Sequence, residues 1–272
     1  MRLAGRAARA RPARGCAGRA GAVTERPAAP RWLVRGEDAL PAGTRWLSPG
    51  EAARAAALVR PKRRTEYLLR RLAVKHTAAA LTGRPVEVAA LARIEVPNTP
   101  GGAPYVLLDG DPAGFDVSVT DRAGWAVCVT GRRVGCDLEL VEPRSPAFVR
   151  DFLTPAEQRF VAARTPGDDR AAAANLIWSA KESALKLLGT GLRRDTRSVE
   201  VTAAAPGPDG WGTLAVRDAE GPPLSGWWRR EGAFLLTVAT AAPGPPPVAL
   251  DPPGVLAAAA PRHSWLERPS PR

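Results

Sequence analysis

Two similar six-residue stretches recur in the sequence: Trp46–Glu51 reads WLSPGE, and Phe152–Glu157 reads FLTPAE, 106 positions further along the chain. In each stretch a hydroxyl residue, a proline and a glutamate follow in the order that starts a helix. The hydroxyl is the N-cap, the proline takes the first helical position and the glutamate completes a capping box. The two stretches therefore predict a helix start at the same point of two repeated segments.

The same offset of 106 positions aligns further residues without a gap. It places Lys75 on Lys181 and Gly83 on Gly189, and each glycine stands where a helix can end with a left-handed C-cap. The alternative is chance similarity between alanine-rich helices. The aligned caps, lysines and glycines together favour an internal duplication.

Short stretches rich in β-branched and other apolar residues lie between and after these helices and predict strands. They are DVSVT (116–120), WAVCVT (125–130), RVGCDLELV (133–141), SVEVTA (198–203), TLAVRD (213–218), LSGWWRR (224–230) and AFLLTVATA (233–241). The predicted fold class is α+β, with two similar halves related by a pseudo-two-fold. Each half, 32–125 and 126–240, packs helices on a small antiparallel sheet, and we expect the active site in the cleft between them.

The composition indicates a globular chain, because 45% of the 272 residues are hydrophobic and 24% are charged. The net charge is +12, and most of the excess lies in residues 1–31. We expect that segment to be a disordered basic tail, with a transit peptide as the alternative, and the proline-rich residues 241–272 to be a second tail.

The remaining bulk features predict a cytoplasmic protein. No apolar run approaches the roughly 20 residues that cross a membrane, so no membrane partner is expected. The three cysteines show no CxxC spacing, which favours buried thiols in a reducing compartment. A basic nucleic-acid-binding protein is an alternative, but the positive charge is concentrated in a tail and no nucleic-acid motif stands out. The duplication favours a monomer.

Two acids interrupt an apolar strand in VGCDLELV (134–141). Asp137 and Glu139 are two positions apart, so both side chains point to one face of the strand. Adjacent carboxylates repel each other, and Mg²⁺ between them would remove that repulsion. The alternative is an edge strand with a solvated acidic face.

A second charged group lies on a predicted helix, WSAKESALKLLG (178–189). Glu182 and Lys186 form an i, i+4 pair in the favourable order, and Lys181 precedes them. The helix is apolar on most sides, which indicates that the charges lie beside other structure. An ordinary solvated ion pair is the alternative.

A dense basic cluster occupies the helix of the first repeat, PKRRTEYLLRRLAVKH (61–76). Arginine offers a planar fork of donors that suits phosphate. The cluster comprises Arg63, Arg64, Arg70, Arg71 and Lys75. A solvated basic helix is the alternative for some of these residues.

Taken in order, VGCDLE, FLTPAE and IWSAKESALK, with the upstream basic helix and a G-x-P element at Gly102–Pro104, resemble the Sfp-type 4′-phosphopantetheinyl transferases. The resemblance covers most of residues 32–240. Its best motifs are G-x-D-x-E at 135–139 and W-S-x-K-E-x-x-x-K at 178–186. It implies a pseudo-dimeric fold, coenzyme A as substrate, Mg²⁺ as cofactor and an apo acyl or peptidyl carrier protein as partner.

The resemblance also implies roles for individual residues. Asp137, Glu139 and Glu182 would hold Mg²⁺, and Glu182 would also act as general base. The residues that would contact coenzyme A are Arg63, Arg71, Gly102, Pro104, Thr120, Asp121, Lys181 and Lys186. Lys181 is in addition a candidate catalytic residue beside Glu182.

One position departs from the family pattern. Asp121 replaces the histidine that in the family contacts a coenzyme A phosphate, and an acid there should repel phosphate unless Arg122 or another cation turns in. This departure supports an alternative reading, a non-catalytic protein of the same fold that binds coenzyme A or a carrier protein.

Overall fold

A computed structural model describes residues 28–262, and the predicted disordered tail falls almost wholly outside this range. The helices are α1 Pro49–Ala56, α2 Pro61–Thr82, α3 Val88–Ala92, α4 Pro146–Phe152, α5 Pro155–Ala162 and α6 Asp168–Leu187. The strands are β1 Arg31–Gly36, β2 Ile94–Glu95, β3 Leu107–Leu108, β4 Asp111–Pro112, β5 Asp116–Arg122, β6 Trp125–Gly131, β7 Val134–Leu140, β8 Val199–Ala203, β9 Gly212–Asp218, β10 Leu224–Glu231, β11 Phe234–Thr240 and β12 Val248–Ala249.

These strands form two main sheets and a small one, so the mixed helix and strand composition is confirmed. The first sheet has the order β12-β1-β6-β5, the second β7-β11-β10-β9-β8, and the small one β2-β3-β4. Helix α2 packs on the first sheet and α6 on the second, each over its own apolar cluster. In both sheets the strand that precedes the long helix, β1 or β7, pairs with the second strand of a later hairpin.

The predicted capping boxes are present at both helix starts. Ser48 caps α1 and Thr154 caps α5, each accepting a hydrogen bond from the backbone N–H of the glutamate three residues on. That glutamate, Glu51 or Glu157, accepts in return from the N-cap backbone N–H. Two otherwise unpaired N–H groups are satisfied at each start, which is why these sequences begin helices where they do.

The aligned lysines are buried structural residues. Lys75 on α2 is fully buried, and its Nζ lies 2.8 Å from Oε2 of Glu51. It also donates to the carbonyls of Leu91 and Ile94. The other oxygen of Glu51, Oε1, accepts from the backbone N–H of Val96 at 3.0 Å. One ion pair thus ties α1, α2 and the segment around β2 together.

The second repeat makes the same set of contacts. Lys181 on α6 is fully buried, with its Nζ 2.8 Å from Oε2 of Glu157. It donates to the carbonyls of Thr196 at 2.9 Å and Val199 at 2.5 Å. Oε1 of Glu157 accepts from the backbone N–H of Val201 at 2.7 Å. Because burying a charge is costly unless it is paired, a repeated buried ion pair of this kind supports the internal duplication.

The two main sheets meet along β5 and β7. The Ser118 hydroxyl on β5 accepts from the backbone N–H of Cys136 on β7 at 2.9 Å. Two residues on, the Thr120 hydroxyl donates to Oδ1 of Asp137 at 3.1 Å. These two bonds place the acids of β7 at the junction between the sheets.

Two predicted boundaries are wrong. Strand β6 pairs with β1 and β5, so it belongs to the first sheet, and the predicted boundary at residue 126 cuts through a strand of that sheet. A strand's partners decide its sheet, and sequence alone does not show them.

The proline-rich segment after residue 240 is also folded up to residue 262. Strand β12 runs parallel to β1, and Leu256 is buried in the core. Asp251 accepts from the backbone N–H of Val34 at 2.7 Å and from Arg35 at 2.6 Å. Prolines prevent long regular elements here, but these side chains still anchor the segment to the first sheet. Among the helices of residues 28–262, we find none with both the length and the apolar character needed to span a membrane.

Candidate functional site

The site is built where α6 crosses β7. A side chain at Gly135 would bring its Cβ to 2.0 Å from the Ser183 carbonyl oxygen and 2.7 Å from the Leu187 nitrogen. Only glycine allows this close approach, which explains the first residue of the G-x-D-x-E motif. As a result, the side chains of Asp137 and Glu139 face the side chains of α6.

One carboxylate oxygen of Asp137 accepts hydrogen bonds, and the other accepts none within the described part of the chain. Its Oδ1 accepts from Nζ of Lys186 at 2.7 Å and from the Thr120 hydroxyl at 3.1 Å. Its Oδ2 is buried and has no hydrogen-bond partner in the described part of the chain. A buried acceptor without a donor is costly, and a cation or a ligand donor would remove that cost.

Lys186 supplies the positive charge of the site. Its Nζ also donates to the Cys136 carbonyl at 3.0 Å. Burial by itself lowers the pKa of this lysine, but the carboxylates of Asp137 and Glu182 more than compensate, so the pKa lies above its usual value. Lys186 is therefore charged at neutral pH.

Glu139 is held by an indole and two guanidinium groups. Its Oε1 accepts from Nε1 of Trp178 at 3.0 Å. Its Oε2 lies 3.0 Å from Nη2 of Arg144 and 3.3 Å from Nε of Arg122. Burial raises the pKa of Glu139, and the charge of Asp137 raises it further, while the two arginines act in the opposite direction.

Glu182 sits half-buried on α6 beside these groups. Burial, followed by the negative charge of Asp137 and to a smaller extent that of Glu139, raises the pKa of Glu182 to about 7, although Lys186 opposes the shift. A carboxyl group with a pKa near neutrality can accept a proton at physiological pH.

The three acids do not form a ready-made metal cluster. Within residues 28–262 no group of three or more histidine, cysteine or acidic side chains is arranged to hold a metal ion. The reason is that Glu139 is turned toward its arginines. Two carboxylates are nevertheless suited to a hard cation, Asp137 through its open Oδ2 and Glu182, which interacts electrostatically with Asp137, and Mg²⁺ is commonly bound by one or two carboxylates with phosphate oxygens and water.

The predicted phosphate contact by Lys181 is contradicted by its position. This side chain is fully buried against Glu157 and two backbone carbonyls, as described above. It points away from solvent although it adjoins Glu182 in sequence, because successive residues on a helix face different directions. Because its side chain is fully buried, Lys181 is also not placed to act as a catalytic residue.

Helix α2 separates its arginines into exposed and buried ones. Arg63 is exposed near the helix start. Arg71 is buried, with its guanidinium carbon 4.7 Å from the centre of the Tyr67 ring, and its Nη2 donates to Oδ1 of Asn98 at 2.7 Å. Asn98 in turn donates to the Gly102 carbonyl at 2.6 Å.

This chain of bonds joins Arg71 to the loop that carries the G-x-P element. Gly102 has φ of +91°, a conformation that glycine adopts without strain, and Pro104 forms an isolated bridge with Asn98. A cavity of about 180 Å³ lies here, with Arg71 and Asn98 in its lining. The structure thus brings Arg71, Gly102 and Pro104 together, while Arg63 lies in the first turn of the same helix, about two turns before Arg71.

Asp121 is neutralised by a cation that sequence analysis did not single out for it. Arg70 on α2 forms an ion pair with Oδ1 of Asp121. Arg122, the cation expected to turn in, instead contacts Glu139 and Glu142. Arg70 was visible only as one of a basic cluster, and Arg144 carried no signal in the sequence, since its role depends on a contact with β7 from a loop.

A comparison with known families matches residues 133–233 to a model described as the 4′-phosphopantetheinyl transferase superfamily. The matched segment contains β7 with its two acids and α6 with Glu182 and Lys186. The match points to a transferase domain of this class in the second half of the chain. No curated protein matches the chain significantly.

Proposed function

We propose that the protein transfers the 4′-phosphopantetheine group of coenzyme A to a serine hydroxyl of an apo acyl or peptidyl carrier protein, in a Mg²⁺-dependent reaction that releases 3′,5′-ADP. The observation that carries the proposal is the group formed by Asp137, Glu182 and Lys186, which lies inside the segment that matches the transferase family. We further propose that the protein is of the Sfp type.

The two repeated segments support the proposed pseudo-two-fold arrangement with its site in the cleft between the halves. Thr120 and Asp121 at the end of β5 belong to the first sheet, whereas Asp137 belongs to the second. The hydrogen bond from Thr120 to Asp137 joins the two at the candidate site. Coenzyme A in this position would contact both halves, which suits a ligand site formed between them.

On the first half, we propose that α2 and the loop after β2 hold the nucleotide. Arg63 and Arg71 would pair with the 3′-phosphate, since guanidinium groups bind phosphate through paired donors. Gly102 and Pro104 would approach the adenine, where a glycine permits close contact with the backbone. Thr120 and Lys186 would contact the pyrophosphate, and the Arg70 ion pair keeps Asp121 from repelling it.

On the second half, Asp137 and Glu182 would hold Mg²⁺ directly. Glu139 would orient Trp178 and add negative charge beside the metal. It would become a third Mg²⁺ ligand only after its ion pair with Arg144 breaks. Mg²⁺ would supply charge neutralisation on the pyrophosphate oxygens. Lys186 would also help to neutralise the pyrophosphate, because it is charged and lies 2.7 Å from Asp137.

The proposed chemistry forms one bond and breaks one. The serine oxygen attacks the β-phosphorus of coenzyme A and forms a phosphodiester. The bond between that phosphorus and the bridging oxygen breaks, and 3′,5′-ADP leaves. Glu182 takes the serine proton, directly or through water.

The non-catalytic alternative rested on Asp121. The Arg70 ion pair weakens that argument, because a paired acid repels phosphate less than a free one. We therefore keep the enzyme as the proposal, acting as a cytoplasmic monomer on a soluble carrier protein.

The test is intact-protein mass spectrometry of an apo acyl carrier protein incubated with coenzyme A, Mg²⁺ and the full chain. We expect a mass gain of one phosphopantetheine that disappears in EDTA and in the Asp137→Asn and Glu182→Gln variants. Arg31→Gln, at the exposed first residue of β1, is the folded control and should keep full activity. No gain with several carriers, with binding of coenzyme A retained, would favour the non-catalytic alternative.

A further inference from the structure

The side chain of Glu139 is contacted on both of its carboxylate oxygens. Its Oε1 accepts a hydrogen bond from Nε1 of Trp178 at 3.0 Å. Its Oε2 lies 3.0 Å from Nη2 of Arg144 and 3.3 Å from Nε of Arg122. Oε2 accepts no hydrogen bond from the residues that the structure describes, so ion pairs with the two guanidinium groups hold it. A metal ion that approached Oε2 would also approach these two positive charges, and like charges at such distances repel each other.

The guanidinium group of Arg144 is itself fixed in place. Its side chain is 7% exposed, and its Nε donates to Oδ1 of Asn175 on α6 at 2.6 Å. Asn175 is fully buried, and its Nδ2 donates to the carbonyls of Glu142 at 2.6 Å and Ala171 at 2.8 Å. Because a buried amide is costly without its hydrogen-bond partners, Asn175 favours this one orientation and holds Arg144 beside Glu139.

Arg122 completes a cluster in which positive and negative charges balance. Besides its contact with Glu139, Arg122 forms an ion pair with Glu142, a residue that is 5% exposed. Two guanidinium groups therefore face two carboxylates in this cluster, which consists of Arg122, Arg144, Glu139 and Glu142. Because each carboxylate already has a cation beside it, the cluster is balanced without a metal ion.

The charges of Asp137 and Glu182 do not balance in this way. Asp137 pairs with Lys186 through Oδ1, but its Oδ2 has no hydrogen-bond partner among residues 28–262. Burial and, after it, the negative charge of Asp137 raise the pKa of Glu182. A divalent cation would relieve the repulsion between these two carboxylates, whereas Glu139 already has its cations. We therefore expect the metal beside Asp137 and Glu182.

We propose that Arg144, fixed by Asn175, is a positioning residue that keeps Glu139 from coordinating Mg²⁺. Asp137 and Glu182 then supply the carboxylate ligands. The proposal rests on the proposed function and adds which of the three acids reach the metal. Mg²⁺ is commonly held by one or two carboxylates together with phosphate oxygens and water, so two carboxylates suffice. Because the number and charge of the ligands set metal affinity, Arg144 holds the affinity below that of a site with three carboxylates.

The experiment measures Mn²⁺ binding to the full chain in the presence of coenzyme A, with free Mn²⁺ followed by electron paramagnetic resonance. In Arg144→Met the Glu139 carboxylate can turn to the metal, so we expect Kd for Mn²⁺ to fall at least about 10-fold. The tighter binding should disappear in Arg144→Met/Glu139→Gln. Arg150→Met is the matched control and should bind Mn²⁺ like the wild type, because it removes the same charge from a side chain that is 68% exposed and pairs with Asp151.

Three further variants test the assignment while Arg144 is kept, in case Arg144→Met does not fold. Asn175→Ala releases Arg144 without removing a charge and should lower Kd for Mn²⁺ by about 3-fold. Glu139→Gln keeps an oxygen that can accept from Trp178, and it should change Kd by at most about 3-fold. Asp137→Asn removes a ligand and should raise Kd at least about 10-fold.

The outcomes separate this assignment from the function. If Glu139→Gln raises Kd as much as Asp137→Asn does, Glu139 is a ligand and the proposal is overturned. An unchanged Kd in Arg144→Met and Asn175→Ala would also overturn it, because Arg144 would then have a structural part alone. Both results leave the function standing as long as the wild type transfers phosphopantetheine. If the wild type binds no Mn²⁺ beyond that bound by coenzyme A in solution, the proposal fails, and the transfer assay with and without EDTA decides the function separately.

Discussion

Removing the buried charge of Lys181 should lower the stability of the protein and leave its binding of coenzyme A unchanged. In Lys181→Met the Glu157 carboxylate, 1% exposed, loses its cation but keeps the N–H donors of Thr154 and Val201. The carbonyls that Lys181 served also lose their donor. Removing one partner of a buried ion pair lowers the free energy of unfolding by about 3–5 kcal/mol. Because Glu157 keeps its two N–H donors, we expect a loss near the lower value, about 3 kcal/mol. For a chain of this size, that loss corresponds to a fall in Tm of about 10 °C.

The assay is urea and thermal unfolding followed by tryptophan fluorescence, beside calorimetric titration with coenzyme A on the folded protein. Lys181→Met/Glu157→Gln is the matched control, because it leaves no unpaired charge and should recover most of the lost stability. Lys75→Met should behave like Lys181→Met, since it has equivalent contacts in the first repeat. Unchanged stability with weakened coenzyme A binding would refute this reasoning and restore Lys181 as a phosphate contact.

Three further predictions concern the site. Gly135→Ala should push α6 away from β7, lower the free energy of unfolding by about 1–3 kcal/mol and strongly reduce transfer. Full activity of this variant would contradict the close approach of Gly135 to the backbone of α6. In EDTA, Glu182→Gln should raise the free energy of unfolding by about 3 kcal/mol at pH 8, because a carboxyl with a raised pKa costs stability once it ionises in the fold. That gain is fully present above pH 7 and fades as the pH falls toward 4.5, and a pH-independent effect in urea titrations would count against it. Arg70→Met should raise KM for coenzyme A, because the charge of Asp121 is then no longer paired, and Arg70→Met/Asp121→Asn should restore the wild-type KM. Equal KM values for the two variants would show that the ion pair does not shield the phosphate from Asp121.

The local features of the fold could be read from the sequence because they depend on neighbouring residues. The capping boxes at Ser48 and Thr154 require only residues three positions apart, and both are present. The strands that alternate or run apolar also form, with β8 to β11 as a meander. Pairing between distant strands was harder, and the assignment of β6 to the second half failed for that reason.

The candidate site divides in the same way. That Asp137 and Glu139 share a face follows from the period of a strand. Which partners they meet depends on how α6 crosses β7, and this crossing gives Lys186 to Asp137 and Trp178 to Glu139. Arg144 reaches Glu139 from a loop, a contact without any sequence period.

Spacing and side-chain chemistry were enough to predict the repeated segments, the helix starts and the residue types of a candidate phosphate and metal site. Which charged side chains reach the candidate site and which are buried within the fold depends on the tertiary packing. Lys181 and Lys186 stand five residues apart on one helix, yet one is buried against Glu157 and the other meets Asp137 at the site. The physical reason is that burial and ion pairing depend on which elements pack against each side of the helix, and that packing is a property of the whole chain.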